Sequence, residues 1–404
     1  MRSYTLFTII LLCLTILIVD LFTFYWLQSI TQLIVIPFFR TLVHVSFWVF
    51  AIGLITSIII LKIRLESINP VRKHFLVSSL YGLTIVSFVP KLFFIIIVSI
   101  LYFSHYVFGD RQSLVVLFVV GVFSGFLPFF AILYGIFRSL YRFKIHHVKI
   151  KSKKLPEYYD GLRIVQISDL HLGSFNYRYH ILDRAINMIN HLEPDFIFFT
   201  GDLVNNCSWE LDNWDSVLKK LTAKKGKYAV LGNHDYGDYK KWESEDLKIR
   251  NFEEIKHFYK KIDFILLLNN ADIIDEDGAK IGIVGVENWG NPPFKQYGDL
   301  NKSLKNVTNI PFKILLSHDP SHWSKEVIEK TDITLTLSGH THGMQAGINL
   351  KNKKWSPIKY KYKHWAGLYE NNDQYLYVNR GLGWLGFPGR LGMRPEITLI
   401  EFEK

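Results

Sequence analysis

Four long apolar runs fill the first third of the chain, at residues 4–27, 41–61, 75–103 and 112–137. Each is at least as long as the roughly 20 residues a helix needs to cross the hydrocarbon core of a bilayer. The runs at 41–61 and 112–137 hold no Asp, Glu, Lys or Arg. The run at 4–27 contains Asp20, and that at 75–103 contains Lys91 beside Pro90. A charge inside a membrane is a functional suspect by default. The blander alternative sets Asp20 towards one interface and lets Lys91 snorkel or pack within the bundle. The first run is too long for a cleavable signal peptide and lacks a small-x-small exit, so it is expected to be retained. The chain thus begins with an all-α, multi-span membrane domain over residues 1–140.

Positive charge sets the orientation. The loop KIRLESINPVRKH between the second and third runs holds Lys62, Arg64, Arg72 and Lys73. The segment RSLYRFKIHHVKIKSKK after the fourth run is richer still, whereas the connections around Gln28–Arg40 and Ser104–Arg111 carry one Arg each. Lys and Arg gather on the cytoplasmic side. Four spans with both ends inside satisfy this, and place the C-terminal part at the cytoplasmic face of the inner membrane. An odd span count would reverse that side, and Leu21–Phe39 is apolar enough to leave the count open.

Residues 141–159 form a basic juxtamembrane linker. From Arg138 to Lys154, basic residues alternate with Leu140, Tyr141, Phe143, Ile145, Val148 and Ile150. Such a segment can lie on anionic headgroups, at about 1 kcal/mol per cation. Alternatively it is an ordinary topology determinant whose later part is the first strand of the next domain. Beyond residue 140 the chain has 38 basic and 33 acidic residues, a mild excess that gives no case for nucleic-acid binding. Cys13 and Cys207 lie far apart in unlike settings, so no disulfide framework is expected and no oxidising compartment is implied.

The remaining residues, 160–404, carry five short polar motifs: Ser168-Asp169-Leu170-His171, Gly201-Asp202, Gly232-Asn233-His234-Asp235, Ser317-His318-Asp319 and Gly339-His340-Thr341-His342. A strand-like apolar run precedes each: RIVQIS, DFIFFT, KYAVLG, KILLS and ITLTLS. Ligands of open α/β sheets gather at the carboxyl ends of strands, so these five ends point to one crevice. Further strands are expected near Phe264–Leu268, Lys280–Val286, Phe312–Ser317, Asp332–Ser338, Tyr375–Asn379 and Glu396–Phe402, with helices near Tyr177–His191 and Trp209–Leu221.

The residue types say what the crevice holds. Carboxylate, amide and imidazole are oxygen and nitrogen donors of intermediate hardness, suited to Mn, Fe or Zn; no thiolate takes part. Asp169, His171, Asp202, Asn233, His318, His340 and His342 make seven candidate ligands. That is too many for one tetrahedral zinc and about right for two divalent metal ions sharing a carboxylate.

In this order, the motifs DLH, GD, GNHD, SHD and GHTH resemble the signature of the calcineurin-like metallophosphoesterases. The resemblance implies an α+β fold of two packed sheets with helices outside, an αββα sandwich. It implies that Asp169, His171, Asp202 and His342 hold one ion and that Asp202, Asn233, His318 and His340 hold the other, with Asp202 bridging. Bound between such ions, water loses its proton near neutral pH and attacks phosphorus. His234, matching a histidine near the leaving group, is the expected proton donor, and Asp235 the candidate to orient it. A merely hydrogen-bonded loop histidine is the bland alternative. His44, His105, His146, His147, His257, His322 and His364 lack such a cluster and stay unassigned.

The tail NRGLGWLGFPGRLGMRPEITLIEF resembles the membrane-anchored branch of that family, which includes pyrophosphohydrolases acting on UDP-2,3-diacylglucosamine. Here the last motif continues Gly343-Met344-Gln345 where that branch commonly has Gly-Gly-Gln, which bears on the local turn. Trp384, Leu385 and Phe387 are candidates to reach lipid, and Arg380, Arg390 and Arg394 to hold phosphate; packing of the loop on its own domain is the alternative. The chain is therefore expected to be a membrane-anchored, dimetal phosphoester hydrolase, with a phosphoester substrate, lipid-linked pyrophosphates included, and membrane lipids as partners. A soluble-substrate phosphodiesterase and a catalytically silent membrane scaffold are its rivals.

Overall fold

A computed structural model describes residues 5–108, 113–175, 178–350 and 353–404. Arg111 and Tyr177, which figure in the expected interhelical loop and helix start, lie outside the described residues. Two units divide the chain.

The first unit spans Arg2–Arg138 together with Gly386–Gly389. It is built of α1 (Leu6–Thr31), α2 (Pro37–Arg64), α3 (Pro70–Phe108) and α4 (Ser113–Phe137). All four are long and apolar enough to cross a membrane. Their outward side chains, among them Phe7, Val49, Ile63 and Leu127, are exposed and apolar, as a lipid-facing surface requires. The two intramembrane charges meet: Lys91 Nζ lies 2.5 Å from Asp20 Oδ1 and 2.8 Å from Ser87 Oγ. Of the alternatives for Lys91, packing within the bundle describes it. In apolar surroundings an unpaired charge is costly, so each is held by the other.

The second unit, Ser139–Leu385 with Arg390–Lys404, is a two-sheet sandwich. Its strands begin with β1 (Lys144–Lys151), β2 (Arg163–Ile167), β3 (Phe196–Phe199), β4 (Gly226–Ala229) and β5 (Ile265–Leu266). They continue with β6 (Asn270–Glu276), β7 (Ala279–Gly285), β8 (Lys313–Leu316), β9 (Leu335–Ser338) and the hairpin β10 (Ile348–Leu350) and β11 (Lys353–Trp355). Last come β12 (Gly367–Asn371), β13 (Gln374–Val378) and β14 (Glu396–Glu403). One sheet has the order β1-β14-β2-β3-β4-β5, the other β12-β13-β9-β8-β7-β6. Within them β2, β3 and β4 run parallel, as do β7, β8, β9 and β13.

The period-2 pattern decides which face each side chain fills. Phe196 and Phe198 join Ile164, Ile314, Leu316, Leu335 and Leu337 in the core between the sheets. Ile197 and Phe199 point the other way, against α5 (Tyr179–Asn190), α6 (Asp215–Leu218) and α7 (Glu245–Lys261). A smaller cluster covers the outer face of the second sheet, including Leu300 of α8 (Leu300–Leu304) and Trp323. Burying each Phe or Leu contributes about 2–3 kcal/mol. These layers form the αββα arrangement.

The basic segment after the helices contributes β1, which pairs in parallel with β14 from Lys144↔Glu396 to Lys151↔Glu403. The strand alternative therefore describes residues 144–151. The helix expected over Trp209–Leu221 is broken: a 3-10 turn at Ser208–Leu211 and the short α6 are separated by Asn213, whose φ of 63° no helix accommodates.

Candidate metal centre

Each motif follows directly on the strand that delivers it. Asp169 and His171 follow β2, Asp202 follows β3, Asn233 and His234 follow β4, His318 follows β8, and His340 and His342 follow β9. The loops are stitched together through main-chain bonds: Asp169 N–H donates to Gly201 O (2.9 Å), His171 N–H to Asp202 O (3.1 Å) and Gly339 N–H to His318 O (2.9 Å). Five of the seven candidate ligands adopt left-handed backbone: Asp169 (φ 52°), His171 (46°), Asp202 (60°), His340 (72°) and His342 (50°). A non-glycine residue there costs of order 1 kcal/mol or more, and such outliers persist where surrounding structure enforces them. The motif glycines have a different task. A Cβ on Gly232 would collide with the Asp202 carboxylate, and one on Gly339 with Ser168 and Asp169. Only glycine lets these loops close over the carboxylates.

Six of the seven candidates fall into two groups, Asp169–His171–His342 and Asp202–His318–His340, each with one ligand atom per residue within 4.8 Å of the others. Nε2 of His171 and Nε2 of His342 approach to 3.1 Å, and His342 Nε2 lies 3.3 Å from Asp169 Oδ1. In the other group His318 Nε2 is 3.1 Å from Asp202 Oδ2 and 3.3 Å from His340 Nδ1. Asn233, the seventh, brings its Oδ1 to 2.8 Å from His340 Nδ1. Asp202 of the second group also approaches the first, with Oδ2 3.6 Å from His171 Nε2. The sequence-selected ligands converge.

Electrostatics match this donor set to a cation. Burial lowers His171 to about 3 and His340 to about 4, and pushes His342 down as well, so three imidazoles are neutral with lone pairs available. Burial, with the Asp202 charge nearby, lifts Asp169 to about 7. Burial also disfavours the His318 cation, but the adjacent Asp202 carboxylate overrides it and raises that group to about 10. His318 Nδ1–H donates to Thr200 O (2.7 Å), which turns Nε2 towards Asp202. Buried carboxylates beside imidazole nitrogens suit a divalent cation at each group, where in the second group it would take the place of the proton that Asp202 draws onto His318.

Residues 162–344 match the family model described as calcineurin-like phosphoesterase, and residues 2–140 one described as probable calcineurin-like phosphoesterase, transmembrane domain. An uncharacterized metallophosphoesterase of Bacillus subtilis, YkuE, is 32% identical over 261 residues, covering 63% of this chain and 83% of its own length. The chain belongs to the calcineurin-like metallophosphoesterases. A zebrafish (Danio rerio) transmembrane protein with metallophosphoesterase domain is 30% identical over 306 residues, 73% of this chain and 63% of that protein. The Escherichia coli phosphodiesterase YaeI is 28% identical over 241 residues, 59% of this chain and 81% of its own.

In this metallophosphoesterase His234 donates its main-chain N–H to Asp202 Oδ1 (2.9 Å), and its Nδ1–H donates to Asn205 O (2.7 Å). That second bond fixes the tautomer, with the proton on Nδ1. Asp235 does not orient it. Both Asp235 oxygens are taken by main-chain N–H groups of Gly232, Asp202, Leu203 and Val204, because the turn after β4 directs this side chain into the loop after β3.

The tail corrects further expectations. Arg380 is buried against Glu396. Arg390 is buried and donates to the carbonyls of Arg380, Gly381, Gly383 and Met393, with its Nη2 3.4 Å from His342 Nδ1. Arg394 donates to the carbonyls of Arg142 (2.8 Å) and Phe143 (2.9 Å). Their donors serve carbonyls and a carboxylate of the enzyme itself. Trp384 is buried against Phe175, at 4.6 Å between ring centroids, and does not reach lipid.

Sequence reasoning overlooked the residues around the histidines. Tyr362 OH is 2.7 Å from His340 Nε2, and Asn233 Nδ2 donates to Tyr239 OH (2.9 Å). Asp319 Oδ2, buried and without a hydrogen-bond partner, lies 3.7 Å from His340 Nε2. Only Asp319 had a signal, its place beside His318.

Proposed function

We propose that this metallophosphoesterase hydrolyses a phosphoester with two divalent ions, Mn, Fe or Zn, held by Asp169, His171, Asp202 and His342 on one side and by Asp202, Asn233, His318 and His340 on the other. The observation that carries this reading is the convergence of two three-residue groups, one of which contains Asp202 with its Oδ2 3.6 Å from His171 of the other. When bound, the ions supply Lewis acidity to the phosphoryl group and ready deprotonation of water. The protein's own groups do the rest. Asn233 is a neutral donor and limits the negative charge facing an anionic phosphate. His234, with Nδ1–H engaged by Asn205, presents Nε2 to the leaving oxygen and gives it a proton. Burial lowers its pKa, and the negative charge of a bound phosphoester acts in the opposite direction.

The reading extends to organisation. Residues 1–140 form the membrane domain and residues 160–404 the enzyme, with 141–159 supplying an edge strand between them. Lys62, Arg64, Arg72 and Lys73, together with the basic residues after α4, put the enzyme at the cytoplasmic face of the inner membrane. A site tethered to a bilayer suits a lipid-linked pyrophosphate such as UDP-2,3-diacylglucosamine.

The test is elemental analysis of the purified full chain together with hydrolysis of a chromogenic phosphodiester in Mn²⁺. Bound divalent metal, with turnover abolished by chelation and by Asp202→Ala, is expected. A metal-free, inert protein would overturn the proposal. Faster hydrolysis of UDP-2,3-diacylglucosamine than of simple esters is the result expected for a lipid-linked substrate; the reverse order points to soluble ones.

A further inference from the structure

Away from the metal centre, the enzyme unit carries a cleft of about 510 Å³ lined by Tyr141, Arg178, His180, Ile181 and Arg184. All five residues belong to that unit. Both arginines are exposed, yet each is held in place: Arg178 Nη1 donates to Tyr141 OH at 2.7 Å, and the Arg184 guanidinium sits 5.5 Å from the Phe143 ring centroid. Neither has a carboxylate partner among the described residues. The one acid on their helix, Asp183, pairs with Lys220 at 2.6 Å. Some exposed cations elsewhere on this unit are paired, as Lys149 is with Glu403 and Lys261 with Asp215. The cleft therefore concentrates uncompensated positive charge on planar guanidinium donors, the geometry that suits a phosphate. His180 adds a ring nitrogen, and Ile181 an apolar wall.

Chain connectivity fixes where this charge is. The fourth candidate membrane span runs from Val119 to Tyr141, so the residue that ends the span is itself part of the cleft wall. Phe143, beneath Arg184, follows two residues later. At no more than about 3.6 Å per residue the chain cannot carry either far from the headgroup layer. Tyrosine at a span end is the usual interfacial anchor, and arginines on a cleft whose wall includes that tyrosine suit anionic headgroups.

We propose that this cleft binds the phosphate of an anionic phospholipid headgroup, with Arg178 and Arg184 as the phosphate donors and Tyr141 holding Arg178 in place. The site is separate from the metal centre and does not depend on the reaction proposed there.

The experiment uses the full chain in nanodiscs of phosphatidylcholine alone or with phosphatidylglycerol, reading the phosphatidylglycerol retained after extraction and the melting temperature. The Arg178→Gln/Arg184→Gln pair is compared with Lys153→Gln/Lys154→Gln, which removes the same charge from the neighbouring basic segment. Affinity for phosphatidylglycerol is expected to fall by roughly tenfold or more in the arginine pair and much less in the lysine pair. Equal losses would mean diffuse attraction to the basic segment, and no loss in the arginine pair would mean no site; either overturns the proposal. A thermal shift from inorganic phosphate alone, as large as that from phosphatidylglycerol, would assign the cleft to free phosphate and overturn it too. Unchanged melting in pure phosphatidylcholine shows that the arginine variant is folded; if it melts lower, Arg178→Lys/Arg184→Lys takes its place, retaining charge and losing the bidentate fork.

Discussion

The carboxylate of Asp235 accepts the main-chain N–H of Asp202 at 3.0 Å, tying the turn after one strand to the central carboxylate on the next. Its other bonds, from Gly232 (2.9 Å), Leu203 (2.9 Å) and Val204 (3.2 Å), are of the same kind. Asp235 therefore shapes the loop that presents Asp202, and His234 takes its orientation from Asn205.

Asp235→Asn replaces an acceptor oxygen with an amide that faces N–H donors. Leaving one or two buried N–H groups unmet costs about 1–3 kcal/mol each. The expected outcome is a stability loss of that size, seen in denaturant unfolding, together with weakened metal retention. A variant with wild-type stability and only an altered pH profile would instead return Asp235 to the role of His234 partner.

Tyr362→Phe removes the hydroxyl 2.7 Å from His340 Nε2 and nothing else. That bond turns the opposite ring nitrogen, Nδ1, towards His318 and Asn233. Losing such a partner typically weakens metal affinity or activity about 10–100-fold. Metal titration followed by a competing chelator measures it, with global stability expected to change little.

Glu396 makes the enzyme unit acid-sensitive at a named position. Burial would raise its pKa, but the Arg380 guanidinium, with help from the Tyr377 hydroxyl at 2.5 Å, holds it down to about 2. An unfolded Glu titrates near 4.5. The folded value being the lower one, its stabilisation is complete above that pH and lost as pH falls towards 2. About 3 kcal/mol is at stake, from roughly 1.4 kcal/mol per pH unit. Glu396→Gln strands a buried guanidinium and should melt well below wild type at pH 7. The gap should narrow as pH drops from about 4.5 towards 2, which melts across that range would show.

What the sequence reveals depends on how strongly each segment is patterned. DFIFFT and ITLTLS are legible as strands because both faces are buried, so apolar residues run on until a polar motif ends them. The helix Glu245–Lys261 escapes notice because it buries little more than Asn251, Ile255, Phe258 and Tyr259. Its signals are chemical instead: Ser244 caps it, accepting from Leu247 N–H (3.3 Å), and Glu245, Asp246, Lys260 and Lys261 suit its dipole. Strand β1 is legible only as one of two alternatives, because its lysines, which point outward from a sheet edge, also suit a basic linker. At the candidate metal centre the seven candidate ligands are visible because each sits in a motif. Tyr362 is not, since a lone tyrosine carries no spacing. Asp235 misleads because neighbours in sequence diverge when a turn sends their side chains to opposite sides, and Arg390 because its partners are main-chain carbonyls that no sequence pattern displays.

The last motif ends in a turn with four successive left-handed residues, His342 (φ 50°), Gly343 (56°), Met344 (54°) and Gln345 (55°). Gly343 meets that demand without strain, whereas Met344 carries a Cβ at a φ that disfavours it by about 1–2 kcal/mol. Its side chain is 54% exposed, so little packing repays the strain. Met344→Gly is therefore expected to relieve it, against an entropy cost of about 0.5–1 kcal/mol for a new glycine. The net gain should be near 0.5–1 kcal/mol, read as a small rise in melting temperature. Gln345 differs, because its Oε1 accepts the Leu385 N–H at 2.7 Å and it is buried. Gln345→Gly relieves similar strain but deletes that bond and its packing, so it should destabilise. Opposite signs at adjacent positions of equal φ would separate backbone strain from side-chain contact, and a loss of stability in both would show that Met344 packs against something the turn needs.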